Sequence, residues 1–573
     1  MEKRWSVAET CPPEFVEAIG TPVVAQLLWN RGIRDQAEAK AFLEPSWDGH
    51  VHDALQFKQM EGAVARTFEA LEKEERITVH GDYDADGVTG STLLITLLRE
   101  LAEKMSSKAI IDYYIPHRDK EGYGLHKDTV PKLKEQGTSL IITVDCGIAC
   151  VEEIASAKEM GMETIVVDHH TFGEVVPDGF LIHPSLPEES YPFKHLAAVG
   201  VAYKFACALL IRARERGLDI PEGREKWLLD LVAIATVTDM VPLIGENRVL
   251  ETYGLTVLNK TRRPGFLALF EQAGVEPGKI TSETVGFMIG PRINAAGRMD
   301  HATVALRLLL SESMDEARII ARELEGLNKA RQDATKKMMQ EADEIVGENP
   351  EGNIIVLWKE NWSPALVGLV AGRYMERFGK PVVAVGKHGD HWIGSGRSIS
   401  TYNITNAVKA AGEGILSRSG GHVQACGFAL NDGDKLEEFR EKLLANAAVI
   451  PAETLLPLLS IDREMTLVNV AMETAEAVKA MEPHGMGNPL PIFLSKRCKI
   501  LSSDTMGSTG NHLRMQLADG SGRAVKAVGF KMGKRILEAL MGSEIDIVYN
   551  LSINEWNGRT TAECRLIDFK LCT

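Results

Sequence analysis

The chain has 573 residues, 45% hydrophobic and 25% charged, the profile of an ordinary soluble globular protein too long for one core, so roughly three or four domains are expected. A net charge of −16 excludes a uniformly basic polyanion binder but leaves room for a local basic groove, because whole-chain charge reports solubility rather than local potential. Eight cysteines scattered from Cys11 to Cys572, with no Cys-x-x-Cys pair, exclude a disulfide framework and a thiolate zinc site and point to the reducing cytoplasm.

In chain order, Met1-Glu2-Lys3-Arg4-Trp5 lacks the apolar core of a signal peptide, and no export is expected. Residues 1–75 read as an N-terminal helical segment packing on the next domain, with helices over 21–31, 37–43 and 61–72. From Ile77, β-like runs at 77–79, 110–115, 140–144, 164–167 and 180–182 alternate with helical patterns, which predicts parallel strands with right-handed crossovers. The run 227–244 is apolar enough to resemble a membrane span, but Asp230 and Asp239 would be costly at mid-bilayer, so it reads as a buried helix followed by a turn; no membrane association is expected.

The ends of those runs carry the chemistry. His80-Gly81-Asp82-Tyr83-Asp84-Ala85-Asp86-Gly87 follows the first. An EF-hand loop would need a bidentate Glu at its twelfth position, where Leu93 stands, so the cluster sits at a strand-to-helix junction instead. Asp145-Cys146-Gly147 ends the third run, Asp168-His169-His170 the fourth, and Asp239 follows the apolar stretch 228–237. Strands of one parallel sheet end on one edge, so the three strand-end groups converge, while Asp239 reads as a helix-to-turn exit. Aspartate oxygens with one or two imidazoles form a ligand set suited to manganese or magnesium. Adjacent His169 and His170 point to opposite sides of an extended chain, which allows one to ligate while the other faces substrate.

Residues 304–350 read as a long helix bridging domains, with Met338-Met339 on a core face. A second α/β domain follows, with strands at 354–357 and 381–385 around a helix at 366–378. Gly394-Ser395-Gly396-Arg397-Ser398 and Gly420-Gly421-His422 read as glycine-rich turns, the first with amides, hydroxyls and a guanidinium suited to a phosphate. The last segment has short strands at 491–494, 512–517, 525–530, 545–551 and 560–567, the pattern of a small barrel. Its basic candidates are Arg497, Lys499, Arg514, Lys526, Lys531 and Lys534, and its stacking candidates are Phe493, Phe530 and Trp556.

The residues 81–87, Val144-Asp145-Cys146-Gly147, Asp168-His169-His170 and Asp239 resemble, in order and spacing, the four motifs of the DHH phosphoesterase family. Glu121-Gly122-Tyr123-Gly124-Leu125, Arg292-Ile293-Asn294-Ala295-Ala296-Gly297-Arg298, residues 394–398 and Gly420-Gly421-His422 narrow the resemblance to the RecJ single-strand-specific exonucleases of that family, over nearly the whole chain. The resemblance implies an α/β fold: a parallel-sheet DHH catalytic domain at 76–303, the connecting helix at 304–350, a DHHA1-like nucleotide-binding domain at 351–449 and an OB-like single-strand-binding domain at 450–573. It implies a two-metal phosphodiesterase, using Mn2+ or Mg2+, that degrades single-stranded DNA from the 5′ end to 5′-mononucleotides in DNA repair and recombination. The protein would be a monomer, partnered by a helicase or a single-strand-binding protein.

By the same resemblance Asp145 bridges both ions, Asp84 holds one, and Asp86, His169 and Asp239 hold the other; either His80 or Asp82 completes the set. His170 polarises the scissile phosphate and Asp168 orients its neighbours. Arg118, Ser395 and Arg397 hold the 5′-terminal phosphate, His422 approaches the nucleotide, and Arg292, Asn294, Arg298 and Gly421 belong to the nucleic-acid-binding motifs. The chain departs from the family pattern at Trp362-Ser363-Pro364-Ala365, at Ser419 and at Cys426, which bears on the nucleotide pocket and removes no metal ligand. Two other readings stay open: a DHH phosphoesterase acting on short oligonucleotides or cyclic dinucleotides, and a non-catalytic DNA-binding scaffold.

Overall fold

The computed structural model describes residues 3–348, 350–556 and 558–572, and these fall into two compact units. The larger comprises Val51–Val241 and Val249–Pro457. Its first sheet has five parallel strands in the order Ile110–Tyr114, Arg76–Gly81, Thr138–Val144, Glu163–Val167, Phe180–Ile182. The expected strands are all present, and their parallel pairing follows from connections long enough to cross over the sheet. Because the first strand lies between the second and third, the order reverses there, and at such a switch point the carboxyl ends of neighbouring strands open a crevice.

Helix Ala85–Lys104 starts at that crevice. Every residue from Ala85 to Ile95 is buried, so the first half of the helix is enclosed on all sides, while Leu97, Leu98, Leu101 and Ala102 continue the buried side beyond it. Gly90 allows the close approach: a Cβ there would lie 2.7 Å from Val144 Cγ1. The span 304–350 is two helices rather than one. Thr303–Leu310 stops at Ser311, whose backbone is extended, and Ser313 caps Met314–Val346 by accepting from Glu316 N at 3.2 Å. Along the second helix, Ala317, Ile320, Ala321 and Leu324 are buried in its first half. Met338 and Ala342 join Leu366, Val370 and Tyr374 in the core of the next domain, the core role expected for Met338.

That domain carries a mixed sheet in the order Leu416–His422, Ala425–Leu430, His391–Arg397, Val382–His388, Ile355–Trp358, with only the last pair parallel. The two glycine-rich segments expected as turns lie instead in strands, one in His391–Arg397 and one in Leu416–His422. Their glycines make room for neighbours. A Cβ on Gly396 would lie 2.7 Å from Cys426 Sγ, and one on Gly394 would enter the ring of Phe428.

The smaller unit comprises Lys3–His50, Pro242–Arg248 and Leu458–Thr573. Five of its strands, Phe493–Met506, His512–Ala518, Ala524–Gly529, Glu544–Trp556 and Arg559–Leu571, close into a barrel when the first pairs with the fourth, Phe493 opposite Tyr549. The N-terminal segment divides: Val51 onward belongs to the larger unit, whereas Phe15, Leu27, Leu28 and Phe42 share a core with Leu513, Ile547 and Phe569 of the barrel. A placement of all of 1–75 on the catalytic domain is corrected accordingly. Phe493 is fully buried and is a core residue rather than a stacking platform. Phe530 is half exposed, with His512 at 5.3 Å and the Arg565 guanidinium over its ring. The Trp556 side chain lies outside the described residues.

Candidate metal centre

Strand register places the acidic residues side by side. Asp82 N donates to Val144 O at 3.1 Å, Asp145 N to Val167 O at 3.0 Å and Asp168 N to Ile182 O at 3.3 Å, so each residue just past a strand is pinned to the end of the next. Asp145 has φ 63°, in the left-handed region that few residues other than glycine adopt, and Gly147 follows at φ 109°. The chain thereby turns sharply at the sheet edge and keeps the Asp145 carboxylate inside it. Gly87 is required for another reason: a Cβ would lie 2.5 Å from both Asp82 N and Asp82 O.

Two of the aspartates also begin helices. Asp84 is the N-cap of Ala85–Lys104, accepting from Asp86 N at 2.9 Å. Asp86 reaches another helix, Ala198–Glu215, and accepts from Ala198 N at 2.7 Å and Val199 N at 2.8 Å. Helix N-termini favour negative charge, so both carboxylates are held where backbone N–H groups point at them.

Three groups of possible ligand atoms lie close together: Asp82, Asp84 and Asp145; Asp86, His169 and Asp239; and Asp145, His169 and His170, each within 4.8 Å. His169 Nε2 is 3.4 Å from Asp145 Oδ1, 3.6 Å from Asp239 Oδ2 and 3.8 Å from Asp86 Oδ2. His80 is outside all three groups; it is fully buried, stacks on Tyr114 at 5.4 Å and lies 3.7 Å from Cys146 Sγ through Nδ1.

The electrostatics match a cation site. Burial, then the Asp86, Asp84, Asp82 and Asp239 charges, push Asp145 well above the usual carboxylate range. Burial and Asp84 do the same to Asp82 and raise Asp86 to about 7; burial, Asp86 and Asp84 raise Asp239 to about 9. His169 is lowered to about 4 by burial and by neighbouring His170, which keeps its imidazole neutral and able to ligate. Asp82 Oδ1, Asp145 Oδ1 and His169 Nε2 are buried with no hydrogen-bond partner, a costly state for a protein interior unless a cation completes it. The residues therefore fit hard divalent ions.

Asp168 differs from the others. Burial opposes its ionisation, but the hydrogen bond from His170 Nδ1 at 2.9 Å and the N–H of Ile148 at 3.1 Å hold it below the usual range. Burial likewise opposes charge on His170, and Asp168 overrides it, raising the imidazole to about 9. Tyr123, in a loop between two glycines at φ 87° and 93°, places its hydroxyl 3.0 Å from Asp145 O and 3.1 Å from His170 Nδ1. In the sequence Tyr123 belongs to the segment 121–125 that carries the resemblance, but that segment assigns it no role in the site.

Basic groups gather beside the acidic cluster. Arg118 lies over the Tyr83 ring at 4.7 Å. Burial first, and then the nearby Arg118 charge, lower Arg298 to about 9, with Arg397 adding to the effect; burial also lowers Arg397. Arg397 donates to Ser395 Oγ at 2.7 Å, and a Cβ on Gly368 would lie 3.1 Å from the guanidinium. Asn294 Oδ1 accepts from Ala85 N at 2.8 Å, Arg298 donates to Ala365 O at 2.7 Å, and Arg292 pairs with Glu325 at 2.6 Å. These three are thus engaged within the protein, while Gly421 and His422 are exposed on their strand.

Three family models match the chain: the DHH family N-terminal domain over residues 76–236, the DHHA1 domain over 351–448 and the RecJ OB domain over 461–568. The single-stranded-DNA-specific exonuclease RecJ of Bacillus subtilis is 37% identical over 553 residues, covering 96% of this chain and 68% of that protein. The Salmonella typhimurium protein of the same name is 33% identical over 569 residues, covering 96% and 95%. The crystal structure of RecJ in complex with Mn2+ from Thermus thermophilus superposes with a TM-score of 0.83 at 31% identity, covering 99% of this chain and 79% of that one. With both α/β domains and the barrel matched by family models and nearly the whole chain covered by these relatives, the chain belongs to the RecJ family of DHH phosphoesterases.

Proposed function

We propose that the protein is a metal-dependent exonuclease that hydrolyses single-stranded DNA from the 5′ end to 5′-mononucleotides. The observation that carries this reading is the set of buried, partnerless ligand atoms on Asp82, Asp145 and His169 amid carboxylates that raise one another's pKa. A binding scaffold has no use for clustered carboxylates that repel phosphate. Asp82, Asp84 and Asp145 would hold one divalent ion, and Asp86, His169 and Asp239 the other, with Asp145 shared. Position favours Asp82 over His80 as the remaining ligand. When bound, two Mn2+ or Mg2+ ions supply Lewis-acid activation of water and neutralise charge on the phosphate.

The chain's own groups do the rest. His170 is held by Asp168 through Nδ1 and is cationic at neutral pH, so its Nε2–H donates to the scissile phosphate. The Arg118 and Arg397 charges both act on Arg298, with Asp84 the opposing carboxylate, and these guanidiniums receive the 5′-terminal phosphate together with Ser395. The barrel binds the single strand. The enzyme acts in the cytoplasm as a monomer, in DNA repair and recombination, on strands supplied by a helicase or covered by a single-strand-binding protein. Among the described residues no helix is long and apolar enough to cross a membrane.

The test is a manganese-dependent time course on one oligonucleotide labelled separately at each end, with Asp145→Ala as control. Early release of the 5′ label as a mononucleotide, only with metal and only by the wild type, is expected. Cleavage of dinucleotides without attack on long strands would favour the short-oligonucleotide phosphoesterase instead.

A further inference from the structure

We propose that Tyr123 is a positioning residue for this reaction, fixing the His170 imidazole through a hydroxyl that the Asp145 carbonyl orients. The inference rests on the role of His170 in the reading above. The phenol carries a single hydrogen and has two polar neighbours, Asp145 O at 3.0 Å and His170 Nδ1 at 3.1 Å. A carbonyl oxygen only accepts, so the hydrogen goes to Asp145 O. The phenol oxygen is then left to accept, and Nδ1 is the donor available to it.

The second neighbour of Nδ1 leads to the same assignment. Asp168 Oδ1, 2.9 Å away, also only accepts, so Nδ1–H is shared between two acceptors and Nε2 is turned away from both. Asp168 alone would fix which nitrogen carries the proton, but Asp145 Oδ1, at 3.6 Å from Nδ1, is beyond hydrogen-bond reach, and one hydrogen bond leaves the ring free to swing about it. A second acceptor outside the carboxylate, with the Tyr123 ring edge-on to the imidazole at 5.5 Å, removes that freedom. The Asp145 carbonyl that orients the hydroxyl is itself fixed, since the N–H of the same residue is pinned to Val167 O at 3.0 Å. Gly122 and Gly124 supply the positive φ values that bring the loop over the edge.

Cleavage of a 5′-phosphorylated single-stranded oligonucleotide with Mn2+ is measured for wild type, Tyr123→Phe, His170→Ala and the double variant. Tyr123→Phe keeps the ring and removes the hydroxyl. It is expected to lower kcat about tenfold with KM within about twofold of wild type, and to change kcat by less than about twofold when added to His170→Ala. Its unfolding midpoint is expected to match wild type. A tenfold loss that persists in the His170→Ala background, wild-type kcat in Tyr123→Phe, or a lowered unfolding midpoint overturns the positioning role alone. Wild-type kcat in His170→Ala overturns the assigned role of His170, and the inference with it.

Discussion

Replacing Asp239 by Asn is expected to make the metal-free protein more stable, even though it removes a ligand. The carboxyl is raised from its ordinary 3.8 to about 9 by burial and by the Asp86 and Asp84 charges. A carboxyl raised in the folded state binds its proton more tightly there than in the unfolded chain, so its contribution to stability falls as pH rises from about 4 to about 9. At pH 7 the displacement spans about three pH units at about 1.4 kcal/mol each, an upper limit of about 4 kcal/mol. The side chain is 23% exposed, and water reduces this to about 1–2 kcal/mol. Asn keeps the volume and removes the charge. Urea unfolding in EDTA should therefore show Asp239→Asn more stable than wild type near pH 8, with the gap closing near pH 5. In excess Mn2+ the order should reverse, because binding to the native state alone stabilises it by mass action. A variant less stable than wild type in EDTA near pH 8, or a gap that ignores pH, would refute the electrostatic argument.

Mn2+ binding should release protons near pH 7, since Asp86 at about 7 and Asp239 at about 9 must give them up; calorimetry in buffers of different ionisation enthalpy reads the number, and an affinity that does not rise from pH 6 to 8 would contradict the assignment. Gly297→Ala should cost about 1–3 kcal/mol by denaturant unfolding, because the new Cβ collides with the Tyr83 carbonyl oxygen and comes within 3.3 Å of Tyr83 Cβ. The same substitution should depress turnover, since Asn294 on that helix holds Ala85 N at the start of the acidic loop. Arg397→Ala should reduce kcat/KM on 5′-phosphorylated strands about tenfold more than on 5′-hydroxyl strands, the loss expected of one charge-assisted contact; equal losses on both would remove the phosphate role.

The parallel sheet was legible because its strands are continuous apolar runs, and their ends could be read as one edge once the alternation with helices was seen. Asp82, Asp84, Asp86, Asp145 and His169 came together on that logic, whereas Asp239, at a helix exit, entered the set through the resemblance. Tyr123 did not, because what places it is a loop path set by two positive-φ glycines, and nothing in local composition says where such a loop lands. The glycine-rich strands of the second domain were misread as turns for a related reason: Gly394 and Gly396 answer to Phe428 and Cys426 across the sheet, a long-range packing demand that looks locally like flexibility. Arg292, Asn294 and Arg298 were legible as a motif, but their engagement with Glu325, Ala85 and Ala365 depends on partners far away in sequence. The split of the N-terminal segment was hidden too, since an amphipathic helix advertises an apolar face without naming the core that takes it.

Helix Met314–Val346 has the geometry of a lever, buried at one end among helices of the catalytic domain and at the other in the core of the second α/β domain. Gly326 sits in its interior with no atom within 4 Å of where a Cβ would go, so packing gives no reason for glycine there. From that residue to the far end the arm is about 30 Å, and a change in curvature of about 5° would carry its tip about 2–3 Å. Gly326→Ala, which should stabilise the helix by about 0.5–1 kcal/mol, would stiffen the lever without touching the site at either end.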